Sequence, residues 1–238
     1  MSDRVVLTAD RSLPATEVPM WLWTHHRLLE AGMLVEVVVP TATMEPGLVG
    51  VVLEGAGFGA VDVTTRRGTV VATARRERSL ADTVAVGMSL LCVGLNPSPY
   101  AADVGVGFAR PGNRFWPAAL ESGILTVDRD PLDALRSHGV GMTDLAKRAT
   151  ARADELTPAE FTHGIDRLDT LCRWLSPRAV CLVGLSGWRA AVDRRAVVGW
   201  QDRRLGGCPT FVMHNPSGLN AHVTVSDLAD QLRTAAGA

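Results

Sequence analysis

Two stretches of the chain hold most of the side chains that could do chemistry. The first reads Gly94-Leu95-Asn96-Pro97-Ser98 and continues to Gly107-Phe108-Ala109-Arg110-Pro111-Gly112-Asn113-Arg114-Phe115-Trp116. The second reads His214-Asn215-Pro216-Ser217-Gly218-Leu219-Asn220-Ala221-His222. An asparagine amide carries a carbonyl acceptor and two N–H donors, so Asn96 and Asn215 can each grip the polar edge of a ligand. Neither stretch contains a lysine, the chain's one lysine being Lys147, which argues against covalent Schiff-base chemistry. A third stretch, Gly141-Met142-Thr143-Asp144-Leu145, adds a carboxylate. Asp144 has two readings: a group that activates water, or a cap on the turn that follows it. Arg110 and Arg114 suit phosphate contacts, with solvated surface arginines as the plain alternative. Asn-Pro is also a frequent turn dipeptide, so each stretch taken singly reads as a turn.

The elements around these stretches decide whether they can converge. Leu90–Leu95 is a short apolar run that stops at the first loop, as a buried strand does. Thr210–Met213 stands in the same relation to the second loop, and Gly139–Leu145 and Ala179–Val183 are two further strand candidates. Between them the pattern turns helical over Arg114–Ser122, over a segment from Thr157 to about Leu175, over Ser186–Arg195 and from about Val225. The helix from Thr157 opens with a capping box and a first-turn proline. Strands alternating with helices predict a mostly parallel sheet covered on both faces, a three-layer α/β/α sandwich whose working loops lie at the strands' C-terminal ends.

Residues 1–86 form a separate small α+β unit in this reading, and residues 87–238 the larger domain. The order is strand Val5–Thr8, helix Trp21–Ala31 ended by Gly32, strand Leu34–Val39, helix Pro46–Ala56, then a hairpin of Val61–Arg67 and Thr69–Ala74 about Gly68. That two-layer order resembles TusA-like sulfur carriers. The Cys-Pro at the start of their first helix is absent here, where the sequence is Pro19-Met20-Trp21, so sulfur transfer is not implied and the unit's function stays unassigned. Arg66, Arg67, Arg75, Arg76 and Arg78 cluster around the hairpin turn, as phosphate contacts or as a charged strand edge. His25 and His26 have no acidic neighbour in sequence and read as structural.

Composition bounds the function classes. The chain has 238 residues, 47% hydrophobic and 21% charged, enough for a sizeable core, and its formal net charge of -1 announces no global nucleic-acid affinity. Any DNA contact therefore rests on a local patch. Four cysteines without a C-x-x-C pair read as reduced core thiols rather than zinc or cluster ligands. The N-terminus lacks the apolar core of a signal peptide, no run reaches membrane-spanning length, and both G-x-G-x-x-G and G-K-[ST] are missing. The expectation is a cytoplasmic protein with no cofactor, no metal and no membrane partner.

Gly94–Pro97, Phe108–Trp116 and Asn215–Leu219, in order and over one domain, with Gly141–Leu145 matching in outline, resemble the mismatch-specific uracil/thymine DNA glycosylases of the uracil-DNA glycosylase superfamily. That family carries a G-[IL]-N-P loop, an F-A-x-P-x-N-R-F-W stretch and an N-P-S-G-L loop. The resemblance covers about residues 88–238 and implies the uracil-DNA glycosylase fold. It implies a monomeric, monofunctional enzyme that flips uracil, or thymine and other modified bases, out of mispaired double-stranded DNA and hydrolyses its N-glycosidic bond. By the same resemblance Asn96 positions the water, Phe108 stacks on the flipped base, Asn215 and Ser98 bind it, and Gly218 and Leu219 wedge into the gap. Arg110, Arg114 and Ser217 hold the DNA backbone, while Phe115 and Trp116 belong to the core. Two departures stand out: Asp144 occupies a position that relatives fill with Asn or Lys, and Ala221 and His222 stand where some place an arginine. Members strict for uracil carry a tyrosine two residues past the water-positioning residue; Ser98 sits there, so a 5-substituent meets no bulky gate. The alternative is a damage-binding module of the same fold that has lost catalysis.

Overall fold

A computed structural model describes residues 4–218 and 222–237. The first strand, β1 (Val5–Thr8), pairs in parallel with β2 (Leu34–Pro40), and α1 (Val18–Leu28) crosses between them. After α2 (Pro46–Gly55) comes the hairpin β3 (Phe58–Arg66) and β4 (Thr69–Arg76), giving a four-stranded sheet of order β1-β2-β4-β3. Alternate residues of β2 are buried, so one face of the sheet packs: Val35, Val37 and Val39 meet Leu22 of α1 and Val49 and Leu53 of α2. The first helix begins three residues before the expected Trp21, because Pro19 can occupy its first turn without losing a backbone bond. Gly32, at φ +92°, belongs to the turn into β2.

The second sheet has the order β6-β5-β7-β9-β8, from β5 (Leu90–Gly94), β6 (Val140–Asp144), β7 (Val180–Val183), β8 (Gly199–Leu205) and β9 (Cys208–Met213). Every pairing is parallel except β8 with β9. All residues of β5, β6 and β7 are buried, as strands covered on both faces must be. On one face lie α6 (Pro158–Leu175) and α7 (Leu185–Ala191), burying Ile165, Leu168, Leu171 and Trp188. On the other lie α4 (Phe115–Ser122) and α8 (Val225–Ala236), with Phe115, Trp116, Leu228 and Leu232, joined by Ala134 of α5 (Pro131–His138). The three-layer α/β/α sandwich is therefore present. Among the described residues no helix is long and apolar enough to cross a membrane. The four cysteines are free and buried.

Four elements differ from the periodicity. Helix α3 (Pro99–Val104) is one and a half turns long, too short for a moment to show. Helix α5 carries an Asp130 cap, a first-turn Pro131 and a Gly139 stop, a signal that was there to be read. Strand β8 is a polar edge strand whose partner is set by the Gly206-Gly207 turn, not by an apolar run. Helix α7 stops at Ala191, four residues short of the expected Arg195.

The connection between the sheets is itself pinned. Thr83 forms an isolated antiparallel bridge with Met142, Glu54 of α2 accepts from His163 of α6 at 2.8 Å, and Arg78 donates two bonds to Asp103 of α3 at 2.7 and 2.5 Å.

Candidate active site

Four parallel strands finish at one edge of the second sheet, at Gly94, Asp144, Val183 and Met213. From β5 the chain goes first to β6 on one side and later to β7 on the other. The loops therefore diverge and leave a crevice at the strand ends. A cleft of about 670 Å³ opens there, and Asn96, Ser98, Phe108, Arg110, Asp144, Asn215 and Ser217 all line it. The two motif loops, more than a hundred residues apart in sequence, thus meet over one hollow.

Asn96 follows β5 directly. Its Nδ2 donates to Thr150 Oγ1 at 2.8 Å, to the Arg148 carbonyl at 3.1 Å and to the Pro97 carbonyl at 3.2 Å. Thr150 is itself buried and donates to the Arg152 carbonyl at 2.7 Å. The amide's N–H₂ is thus committed to the segment after β6. Its Oδ1 is the atom left to serve the cleft, and as an acceptor it suits a water proton.

Asp144 ends β6 directly opposite Gly94 in the register. A Cβ on Gly94 would collide with the Asp144 carboxyl, so the glycine makes room for the acid. Asp144 is 6% exposed, and among the described residues no hydrogen bond to its carboxyl oxygens is seen. Loss of hydration raises its pKa to about 6, with Asp82 pushing the same way while Lys147 and Arg167 pull it down. The turn-cap reading is not what the geometry shows: the backbone amides of Leu145 and Ala146 bond to the Gly94 and Leu95 carbonyls.

Phe108 adopts φ +58°, a region that costs a non-glycine residue roughly 1–2 kcal/mol. Its ring stacks on Phe115 with centroids 4.1 Å apart and planes at 25°. The Nε1–H of buried Trp116 donates to the Gly107 carbonyl at 2.8 Å and fixes the loop behind it. Phe115 and Trp116 are fully buried, as core residues. A backbone like that of Phe108 persists only where its surroundings hold it.

Three expected contacts come out differently. Ser98 lines the cleft, but its Oγ accepts from the Ala101 amide at 3.1 Å and caps α3, so its hydroxyl oxygen serves the fold. Arg114 is not a free phosphate clamp: its guanidinium donates to the Ser217 carbonyl at 2.9 Å, the Pro216 carbonyl at 3.4 Å and the Val223 carbonyl. It ties the second motif loop to the start of α4, and a phosphate would have to displace those carbonyls. Gly218 was expected to enter the gap together with Leu219. Instead a Cβ there would meet the Gly112 carbonyl at 2.9 Å, so the glycine allows the two motif loops to touch. Arg110 remains exposed at the rim. Asn215 accepts from the Ser217 amide at 2.9 Å through its Oδ1, a local turn that shapes the loop. Leu219 and Ala221 lie outside the described residues. Tyr100 is 47% exposed on α3 and takes no part in the cleft wall.

The sequence reading passed over Asp82, Thr143, Arg167 and Leu80. Leu80 lines the cleft and the small hollow behind Phe108. The other three form a buried polar knot beside Asp144. Two flags existed: an aspartate inside the apolar run from Leu80 to Leu95, and an arginine at a helical spacing from Gly164, Leu168 and Leu171 on the buried face of α6.

The profile of the uracil DNA glycosylase superfamily matches residues 82–234. Among solved structures, this chain is similar to the solution NMR structure of a candidate uracil DNA glycosylase from Methanosarcina acetivorans. That likeness has 18% identity and a TM-score of 0.47, over 66% of this chain and 96% of that one. A match across well over half of the chain, including the strands and loops that build the cleft, settles the assignment: this protein belongs to the uracil DNA glycosylase superfamily.

Proposed function

We propose that the protein hydrolyses the N-glycosidic bond of uracil flipped out of mispaired double-stranded DNA. Membership of the superfamily supports glycosylase chemistry. The observation that carries the finer reading is the convergence of Asn96, Asp144, Phe108 and Asn215 on one cleft. A flipped base stacks on Phe108, whose ring Phe115 backs and whose strained backbone holds it in place; such stacking is worth about 1–3 kcal/mol. Asn215 reads the base's polar edge.

Asn96 Oδ1 accepts a hydrogen bond from the attacking water and aims it at the sugar. Asp144, about nine-tenths ionised at pH 7 if its pKa is near 6, takes the water's proton as the C1′–O bond forms. The C1′–N bond breaks with its electron pair going to the base, which leaves as an anion stabilised by neutral donors and is protonated on release. Leu219 wedges into the vacated stack beside Gly218, and Arg110 contacts phosphate at the rim. Residues 1–86 act as an accessory α+β unit, divided from the catalytic domain in the segment that follows β4.

The substrate range extends past uracil. With Ser98 small and Tyr100 outside the cleft wall, no tyrosine gate opposes a 5-substituent among the described residues, and an apolar wall separates one methyl by only about 1–3 kcal/mol. Measurable cleavage of 5-hydroxymethyluracil, and slower cleavage of thymine opposite guanine, is the expected outcome.

The test is single-turnover cleavage of a G:U duplex followed by alkali. Asn96→Ala should slow the step by orders of magnitude while mispair binding persists. Wild-type protein that binds the mispair without cutting it would instead identify a damage-binding module, and an Asn96→Ala variant that cuts at the wild-type rate would sink the assigned mechanism. On a panel of bases, strict cleavage of uracil alone would sink the wider range. Leu219→Ala should hurt A:U more than G:U, since only the well-paired base needs forcing out; equal losses would place Leu219 in the packing instead.

A further inference from the structure

Asp144 is buried next to two cations, yet neither one bonds its carboxyl. The reason lies in a second buried carboxylate. Asp82, 4% exposed, comes from the segment that joins the two sheets. Its Oδ1 accepts from Lys147 Nζ at 2.7 Å and from Thr143 Oγ1 at 2.6 Å, and its Oδ2 accepts from Arg167 Nη1 at 3.0 Å. Lys147 spends a further bond on the Leu80 carbonyl at 2.5 Å. Arg167 Nη2 goes to Thr143 Oγ1 at 2.9 Å and to the Asp144 main-chain carbonyl at 2.6 Å. Both cations are thereby turned toward Asp82 and the backbone. The Asp144 carboxyl is left facing the cleft.

We propose that Asp82 is a positioning residue of the active site: by occupying Lys147 and Arg167 it keeps the Asp144 carboxyl free of an ion pair and available to a water in the cleft. The inference rests on Asp144 acting as the base in the reading above. A carboxylate locked to a guanidinium would be a weak base and would point away from the water. Burying a lone acid costs stability, and burying two cations without a counter-charge costs more. Asp82 meets the second requirement without consuming Asp144. The knot is anchored from the first unit as well: the Asp82 amide donates to the Gly55 carbonyl at 2.9 Å, and a Cβ on Gly55 would run into the Asp82 carboxyl. Ser79 Oγ donates to the Lys147 carbonyl at 2.6 Å on the same side.

The charged groups acting on Asp144 are Lys147 in the turn after it, Arg167 from α6 and Asp82 from the connecting segment; β5 beside it carries none between Leu90 and Gly94, and the Phe108 loop presents an apolar ring. Neutralising Asp82 leaves both Lys147 and Arg167 without their counter-charge, and Asp144 becomes their natural partner. An opposite charge at contact distance lowers a carboxyl's midpoint by about 1–3 units.

Asp82→Asn keeps the size and removes the charge, with one of the two accepting oxygens exchanged for an N–H₂ donor, so Lys147→Met serves as the arm that changes charge without touching those acceptors. The Asp144 carboxyl is followed in the full-length protein by carbon NMR, assigned by its loss in Asp144→Asn. Its midpoint should fall by at least about one unit in Asp82→Asn. A midpoint unchanged from wild type would overturn the proposal. Lys147→Met gives an independent reading should Asp82→Asn fail to fold: removing a cation should raise the midpoint, and a fall or no change would overturn the proposal too. The acid limb of G:U cleavage is then measured in Asp82→Asn. A limb that moves down with the NMR midpoint supports the whole chain of reasoning. A limb that stays put while the NMR midpoint moves would overturn the base role of Asp144 and leave the charge arrangement standing, so the two failures separate.

Discussion

The two sheets of this protein bury their strands in different ways, and the difference locates the chemistry. The four-stranded sheet packs one face, its strands alternating buried and half-buried residues. Its charged side chains mostly serve the structure: Arg75 donates to the Gly32 carbonyl at 2.8 Å and Arg76 to the Glu77 carbonyl at 2.8 Å. Even buried His26, whose pKa burial pushes down to about 3, stays a neutral core ring against Phe58. The five-stranded sheet is covered on both faces, and its parallel strands deliver four C-terminal ends to one crevice. Only there does a buried acid, Asp144, stand without a partner for its carboxyl among the described residues. A sheet with one solvated face can place charge in water; a doubly covered parallel sheet concentrates its few polar groups at one edge, where their environment shifts them.

The largest expected effect tests that contrast at Asp144. Asp144→Asn should lower single-turnover cleavage by about 10²–10⁴-fold, the usual worth of a general base. It should also stabilise the protein. The folded carboxyl titrates near 6 against an ordinary 3.8, so the folded state holds its proton over a pH range where the unfolded state has lost it. Stability falls as pH rises through that window, and the asparagine removes the penalty. A gain on the order of 2–3 kcal/mol is expected at pH 8, shrinking to about half a kcal/mol near pH 4 and vanishing below about pH 3. Thermal melts across that range decide it; a gain independent of pH would mean that the acid is not the source of the strain.

A core truncation in the other sheet should show the reverse pairing of effects. Leu53 is fully buried in α2, and Leu53→Ala should cost about 2–5 kcal/mol of stability. Cleavage per folded molecule should change less than threefold. A large fall in the rate of the folded variant would mean that the first unit sets the geometry of the cleft through more than the Asp82 anchor.

Smaller effects belong to the loops. Arg114→Met removes the ties to the Pro216, Ser217 and Val223 carbonyls, so cleavage should drop about tenfold with an unchanged salt dependence of binding. A flattened salt slope would restore Arg114 as a phosphate contact. The smallest effect is expected at the hairpin tip. Pairing of Arg66 with Thr69 and of Phe58 with Arg76 puts Arg66 and Arg67 at one end of the hairpin and Arg75, Arg76 and Arg78 at the other, so the five do not form one patch. Replacing Arg66 and Arg67 by glutamine should change DNA affinity by less than about threefold; a loss of slope by about two in the salt plot would make them real phosphate contacts.

The sequence by itself determined the strand-and-helix alternation, the parallel sheet and the two motif loops. Buried parallel strands are local apolar runs, and an Asn-Pro loop at the end of such a run needs no partner to be recognised. Asn96, Phe108 and Asp144 were legible for that reason: each sits within a few residues of a strand end or in a contiguous motif. Tertiary structure decided the rest. Ser98 turned out to cap a helix too short to show a periodicity. The partners of Arg114 lie about a hundred residues downstream, and nothing in its own neighbourhood names them. Asp82 meets Thr143, Lys147 and Arg167 across 61 to 85 residues of chain. Whether a buried acid is paired or left alone depends on which charges the fold brings within a few ångströms. Electrostatic energy is set by that distance and by the exclusion of water, and neither quantity is a property of sequence neighbours.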